Sequence, residues 1–134
     1  MYLVDTNIFL EVLLSGGRKE ECKIFLSLLR NGEKIGVITD FSIHSILVIM
    51  EGFNRRRELK LFLTSLLDYK GLRIYNTTLM DELSAIDLSY ELNLDMDDSI
   101  QYHVATILKA DGIVSFDRHF DGLKILRLEP SQLI

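Results

Sequence analysis

Five aspartates stand where short apolar runs end or where a helix begins, and they are the first chemical signal in the chain. Leu94–Gln101 reads LDMDDSIQ, so Asp95, Asp97 and Asp98 fall within four positions. One Asp at a helix N-terminus is ordinary, because it accepts from free backbone N–H groups and meets the positive end of the dipole. Three exceed that need, since each repels the others; either they spread into solvent or some point at a cation. Asp5 follows the run Tyr2-Leu3-Val4, and Asp117 follows Ile113–Phe116. Carboxylates within a few ångströms raise one another's pKa, and a divalent cation removes the penalty. Oxygen ligands without thiolates or paired imidazoles suit Mg²⁺ or Mn²⁺. Such an ion lowers the pKa of a bound water and holds a phosphoryl oxygen, which is the chemistry of phosphodiester hydrolysis. Thr6, Asn7 and Ser115 are placed to orient the carboxylates or their waters.

The elements that must position these acids are short apolar strands alternating with helices. Strands are expected at Tyr2–Val4, Ile35–Ile38, Leu72–Tyr75, Ile113–Phe116 and Lys124–Leu128. Helices are expected at Ile8–Leu14 (capped by Thr6 or Asn7), Arg18–Leu29, Phe41–Glu51, Arg55–Leu67 (capped by Asn54), from Thr78 to Leu92, and from the acidic run onward. In the last helix, Ile100, Val104, Ile107 and Leu108 share one face expected to be buried. This alternation implies an α/β fold with a mainly parallel sheet between helical layers. Ligands of such sheets bind beyond the carboxyl ends of the strands. Asp5, Asp40, Asn76 and Asp117 follow the first four strands. The helix of Asp97 and Asp98 precedes the strand that ends before Asp117 and must run antiparallel to it. Chain direction alone thus brings Asp98 and Asp117 to one edge.

The bulk properties narrow the classes. A chain of 134 residues, 48% of them hydrophobic, with one Pro, reads as one folded domain over 1–134 rather than a disordered chain. The lone Cys22 excludes an internal disulfide framework and fits a cytoplasmic location. MYLVDTN lacks the basic start of a signal peptide, and no apolar run approaches ~18 residues, so no membrane association is expected. A net charge of −5 argues against nucleic-acid binding over the whole surface, though not against an acidic nuclease site. Arg55, Arg56 and Arg57 form a local basic turn, either a solvated face or a contact for phosphates.

Taken together, VDTN after the first strand, LDMDDSIQ opening a helix and SFDRHF after the fourth strand resemble the PIN-domain family. Within it the chain is most similar to VapC-type toxins, the ribonuclease halves of toxin–antitoxin pairs. The resemblance runs the length of the chain in order. It implies a three-layer α/β/α sandwich and Mg²⁺- or Mn²⁺-dependent endoribonuclease activity on an RNA substrate. It also implies a homodimer and an antitoxin protein that covers the site. Asp5, Asp98 and Asp117 match the family's metal-binding acids, with Asp95 and Asp97 looser matches. Two positions depart from the family pattern. A Glu is common in the helix after the second strand, where His44 or Ser45 stands here, with Asp40 one turn earlier as another substitute. The second acid after the fourth strand is His119.

Each residue also has a plainer role. Asp5 and Asp117 can be capping or turn residues, and Asp95 and Asp97 solvated ones. His103 is expected to be a partly exposed helix residue. From another class, the chain can be a PIN-fold module that binds nucleic acid or protein with weak or lost cleavage. A phosphatase-like or response-regulator-like domain also clusters acids at a sheet edge, but the Lys expected after a fifth strand is missing.

Overall fold

Tyr2–Val4 (β1) is only three residues long, yet it becomes the middle of the molecule because both of its faces are covered. The computed structural model describes residues 1–134. It shows a five-stranded, all-parallel sheet in the order β3-β2-β1-β4-β5, flanked by six helices. The chain runs β1, α1 (Thr6–Leu13), α2 (Lys19–Arg30), β2 (Gly36–Thr39), α3 (Asp40–Gly52), α4 (Arg56–Leu66) and β3 (Leu72–Tyr75). It continues through α5 (Leu79–Leu92), α6 (Met96–Ile107), β4 (Gly112–Val114) and β5 (Arg127–Leu128). The α/β sandwich expected from the alternation of strands and helices is the fold observed.

Successive strand residues point to opposite faces, and the core divides on that period. Val4, Ile38 and Val114 pack on one side with Ile8, Phe25, Ile46 and Phe62 of α1–α4. Their neighbours Leu3, Val37 and Ile113 pack on the other side with Tyr102, Val104 and Ala105 of α6 and with Phe120. Burying a side chain of this size contributes about 1.5–3 kcal/mol, so β1, β2 and β4 are fixed in register by both layers. Register is Leu3↔Val37 on one side of β1 and Leu3↔Ile113 on the other. A close approach sits at the start of β3. A Cβ on Gly71 would run into the carbonyl oxygen of Lys34 and lie 2.8 Å from that of Leu29.

Several element boundaries differ from the sequence expectation. α1 begins at Thr6 with Asp5 as its N-cap residue, and Asp5 makes no capping bond because its oxygens are engaged elsewhere. Arg55, not Asn54, precedes α4. β4 ends at Val114, which releases Ser115 and Phe116 into the turn that carries Asp117. β5 is reduced to Arg127–Leu128, which pairs with β4 in the register Ile113↔Arg127. Ile107 is half exposed, so the buried stripe of α6 is narrower than its spacing implied.

The chain leaves β1 toward β2 and β3, then returns across the sheet to place β4 on β1's other side. The crevice beyond the carboxyl ends of β1 and β4 is therefore the switch point at which such sheets bind ligands. Asp5 and Asp117 flank it.

Candidate functional site

Asp5 is the most deeply held of the acids. It is 2% exposed, and both of its oxygens are engaged. The Ser115 hydroxyl donates to Oδ2 at 2.6 Å, and the Gln101 amide donates to Oδ1 at 2.9 Å. The same Gln101 amide nitrogen donates to Asp97 Oδ1 at 3.1 Å, so one buried side chain ties two carboxylates together. Ser115 acts similarly on the other side, since its oxygen accepts from the backbone N–H of Asp117 at 2.9 Å. Arg127 in turn donates to the Ser115 carbonyl at 2.9 Å, fastening the turn to β5.

α6 delivers the second group. Asp95 caps the helix by accepting from the Asp98 N–H at 2.9 Å, so it serves the fold while remaining exposed. That cap leaves Asp98 only 4% exposed, with Oδ2 buried and without a hydrogen-bond partner. Asp117 accepts from the His119 N–H at 2.9 Å in a single 3₁₀ turn, Arg118–Phe120, which the buried Phe120 pins to the core. Asp98, Asp117 and His119 each turn a ligand atom into a common space, all within 4.8 Å of one another.

The electrostatics record the crowding. Burial raises the Asp5 carboxyl above its ordinary value, and the Ser115 and Gln101 bonds hold it back. Burial and then the Asp5 charge push Asp97 up to about 6. Asp98 is raised further, by burial and then by the charge of Asp117. A buried carboxylate oxygen with no donor is costly, and the surrounding donors are carboxylates with one imidazole. That set fits a divalent cation and is poor for a neutral or anionic ligand.

The remaining candidates are not part of this cluster. Thr6 is buried and donates to the Ser42 hydroxyl at 2.8 Å, which Thr39 also reaches at 3.2 Å, so α3 meets α1 through hydroxyls. Asn7 is exposed and lines a cavity of about 300 Å³ with Leu10 and Phe116. Asp40 accepts from the Thr77 N–H and hydroxyl at 3.0 and 2.8 Å, tying α3 to the end of β3. His44 is exposed on α3, outside the cluster. Arg55, Arg56 and Arg57 are exposed, with Arg56 3.6 Å from Glu51. His103 is a partly exposed residue of α6, as expected, and its Nε2 is 2.9 Å from Asp81. Asp81 also accepts from Tyr75 and the Thr78 N–H. Burial works against the charge of Asp81, yet these bonds together lower its pKa to about 2. The pair locks α5 to α6. The largest cavity, about 830 Å³, lies between these helices and Lys124–Leu126, and the crevice acids do not line it.

The sequence profile of the PIN domain matches residues 1–119. The chain belongs to the PIN domain family. No curated protein sequence matches it. Among solved structures, this PIN domain is similar in fold to a toxin–antitoxin complex from Klebsiella pneumoniae, with a TM-score of 0.70 and 20% identity over 97% of this chain and 98% of that one. It is similar to Mycobacterium tuberculosis VapC20, described as a sarcin–ricin loop cleaving toxin, with a TM-score of 0.78 and 14% identity over 97% of this chain and 100% of that one. VapBC2 from Rickettsia felis, bound to a DNA fragment from its promoter, aligns with a TM-score of 0.70 and 15% identity over 96% of this chain and 97% of that one.

Proposed function

We propose that this PIN domain is a metal-dependent endoribonuclease and the toxin half of a toxin–antitoxin pair. The observation that carries the reading is the buried, partnerless Oδ2 of Asp98, facing Asp117 at the sheet's switch point. Asp98 and Asp117, with Asp5 behind them, would hold Mg²⁺ or Mn²⁺. When bound, the ion supplies a water acidic enough to attack at neutral pH and offsets charge on the phosphoryl oxygens. The chain's own residues prepare that site. Ser115 and Gln101 fix Asp5 before any ion arrives, Gln101 sets the distance from Asp5 to Asp97, and the Asp95 cap aims Asp98 inward. Thr6 and Asn7 begin the helix that follows Asp5.

Substrate contacts fall to the basic turn. Arg55, Arg56 and Arg57 are exposed at the start of α4, with Arg56 reaching Glu51 at 3.6 Å, and their charges suit an RNA backbone. A second copy is accommodated by α5, whose Leu79, Leu83, Ile86 and Tyr90 form an exposed apolar stripe at helical spacing. An antitoxin would cover the acids, with an Arg answering the carboxylates.

The departure at the helix after β2 favours one other reading, a PIN-fold binding module with weak cleavage. Here α3 meets α1 through the Ser42 hydroxyl. Purified protein incubated with structured RNA separates the two. Cleavage with Mn²⁺ that stops in EDTA and returns on adding the ion supports the nuclease. Cleavage that continues unchanged in EDTA refutes it, and salt-dependent binding without cleavage leaves the binding module.

A further inference from the structure

His119 stands beside the crevice acids but has no part in the core. Its ring is exposed, with 73% of the side chain open to solvent, so packing does not explain its orientation. Nδ1 nevertheless lies 3.1 Å from Asp117 Oδ1 and 3.7 Å from the orphaned Asp98 Oδ2. Its own backbone N–H holds the same Asp117 oxygen at 2.9 Å. Donor atoms that share one small divalent ion at about 2.1 Å lie roughly 3 to 4 Å apart. The two measured separations fall in that range, and the buried Asp98 oxygen has nothing else to bind. With the proton on Nε2, the Nδ1 lone pair faces the two carboxylates.

We propose that His119 is a nitrogen ligand of the crevice cation, so that the site selects a transition ion such as Mn²⁺ or Co²⁺ over Mg²⁺. This rests on the proposed reading of the crevice as a cation site. The chemical reason is the donor set. Mg²⁺ demands oxygen ligands and gives up water reluctantly, whereas imidazole suits the later divalent ions. A carboxylate at position 119 would make an all-oxygen site; the imidazole converts it into two oxygens and one nitrogen.

The test compares wild type, His119→Asp and His119→Gln, titrated with MgCl₂, MnCl₂ and CoCl₂ and followed by melting temperature and calorimetry. The exposed ring makes both variants tolerable to the fold, which their melting without added ion verifies. Wild type is expected to prefer Mn²⁺ and Co²⁺ over Mg²⁺ by on the order of tenfold or more, with His119→Asp losing most of that preference. Electron spin-echo modulation from bound Mn²⁺ is expected to show ¹⁴N coupling in wild type and none in His119→Gln. Ion binding with the same selectivity in all three proteins, or without ¹⁴N coupling in wild type, overturns the ligand role and leaves the cation site standing. If no ion raises the wild-type melting temperature, and Asp98→Asn behaves identically, the cation reading itself fails and the role of His119 falls with it.

Discussion

Gln101 and Asp5 lie 96 residues apart in sequence and meet in a 2.9 Å hydrogen bond, with the Gln101 amide also held by Asp97. The contact joins the helix that brings Asp98 to the strand that brings Asp5, so the geometry of the acids is set before any ligand binds. Gln101→Leu keeps the volume and removes both donors. It should cost about 1–3 kcal/mol in urea unfolding, because two carboxylates lose a partner in a buried site. Part of that loss should return with millimolar Mn²⁺, which replaces the amide's positive end.

The pH dependence of the ion-free protein follows from the same crowding. Asp97, with its pKa at about 6, and Asp98, raised as well, bind protons in the folded state before the unfolded chain does. Stability should therefore rise as pH falls from neutrality toward the ordinary carboxylate value of about 3.9. Asp81, lowered to about 2, acts oppositely: its contribution is present above that ordinary value and is lost as pH falls toward 2. Melting temperature should peak near pH 4 in EDTA. Mn²⁺ should flatten the neutral limb, because it binds the deprotonated acids. A curve that declines steadily from pH 7 to 4 in EDTA would contradict this.

Asp98 and Asp95 should separate cleanly. Asp98→Asn removes the charge a cation needs and relieves repulsion, so folding is unchanged or slightly improved. Metal-dependent cleavage should fall by on the order of a hundredfold or more. Asp95→Asn keeps a good N-cap and should alter little, while Asp95→Ala should cost about 1 kcal/mol. A metal-induced melting shift that survives Asp98→Asn but vanishes in Asp95→Asn would reverse the assignment.

Gly71→Ala probes the sheet rather than the site. Its Cβ collides with backbone carbonyls that hold the start of β3 against the end of α2, and backbone atoms cannot swing aside. We expect a loss of about 1–3 kcal/mol, read by urea denaturation, with cation affinity in the folded protein unchanged.

The sheet and the meeting of Asp98 with Asp117 were legible because both depend on local pattern and chain direction. Short apolar runs leading to Asp or Asn mark the strands, although β4 stops two residues before Phe116, and a helix before a parallel strand can run only one way. The cross-links were not legible. Gln101 sits in a helix one turn from Asp97, where a polar residue ordinarily faces solvent, and nothing nearby in sequence names Asp5 as its partner. His103 is partly exposed, as its helix position suggested, but its partner Asp81 could not be read from the sequence. The Thr78–Asp81 capping box could be seen, but not that Asp81 would also take the imidazole from α6. The contraction of β5 to Arg127–Leu128 escaped because hydrophobic pattern does not encode where pairing stops.

The position of a bound ion tests the account most directly. Crystals grown or soaked in Mn²⁺ and measured near the manganese absorption edge locate it by anomalous scattering. The strongest peak is expected in the crevice beyond β1 and β4, about 2.0–2.3 Å from Asp98 Oδ2 and shared with Asp117. An empty crevice at millimolar Mn²⁺, or a strongest peak elsewhere such as beside Asp81 and His103, would contradict it.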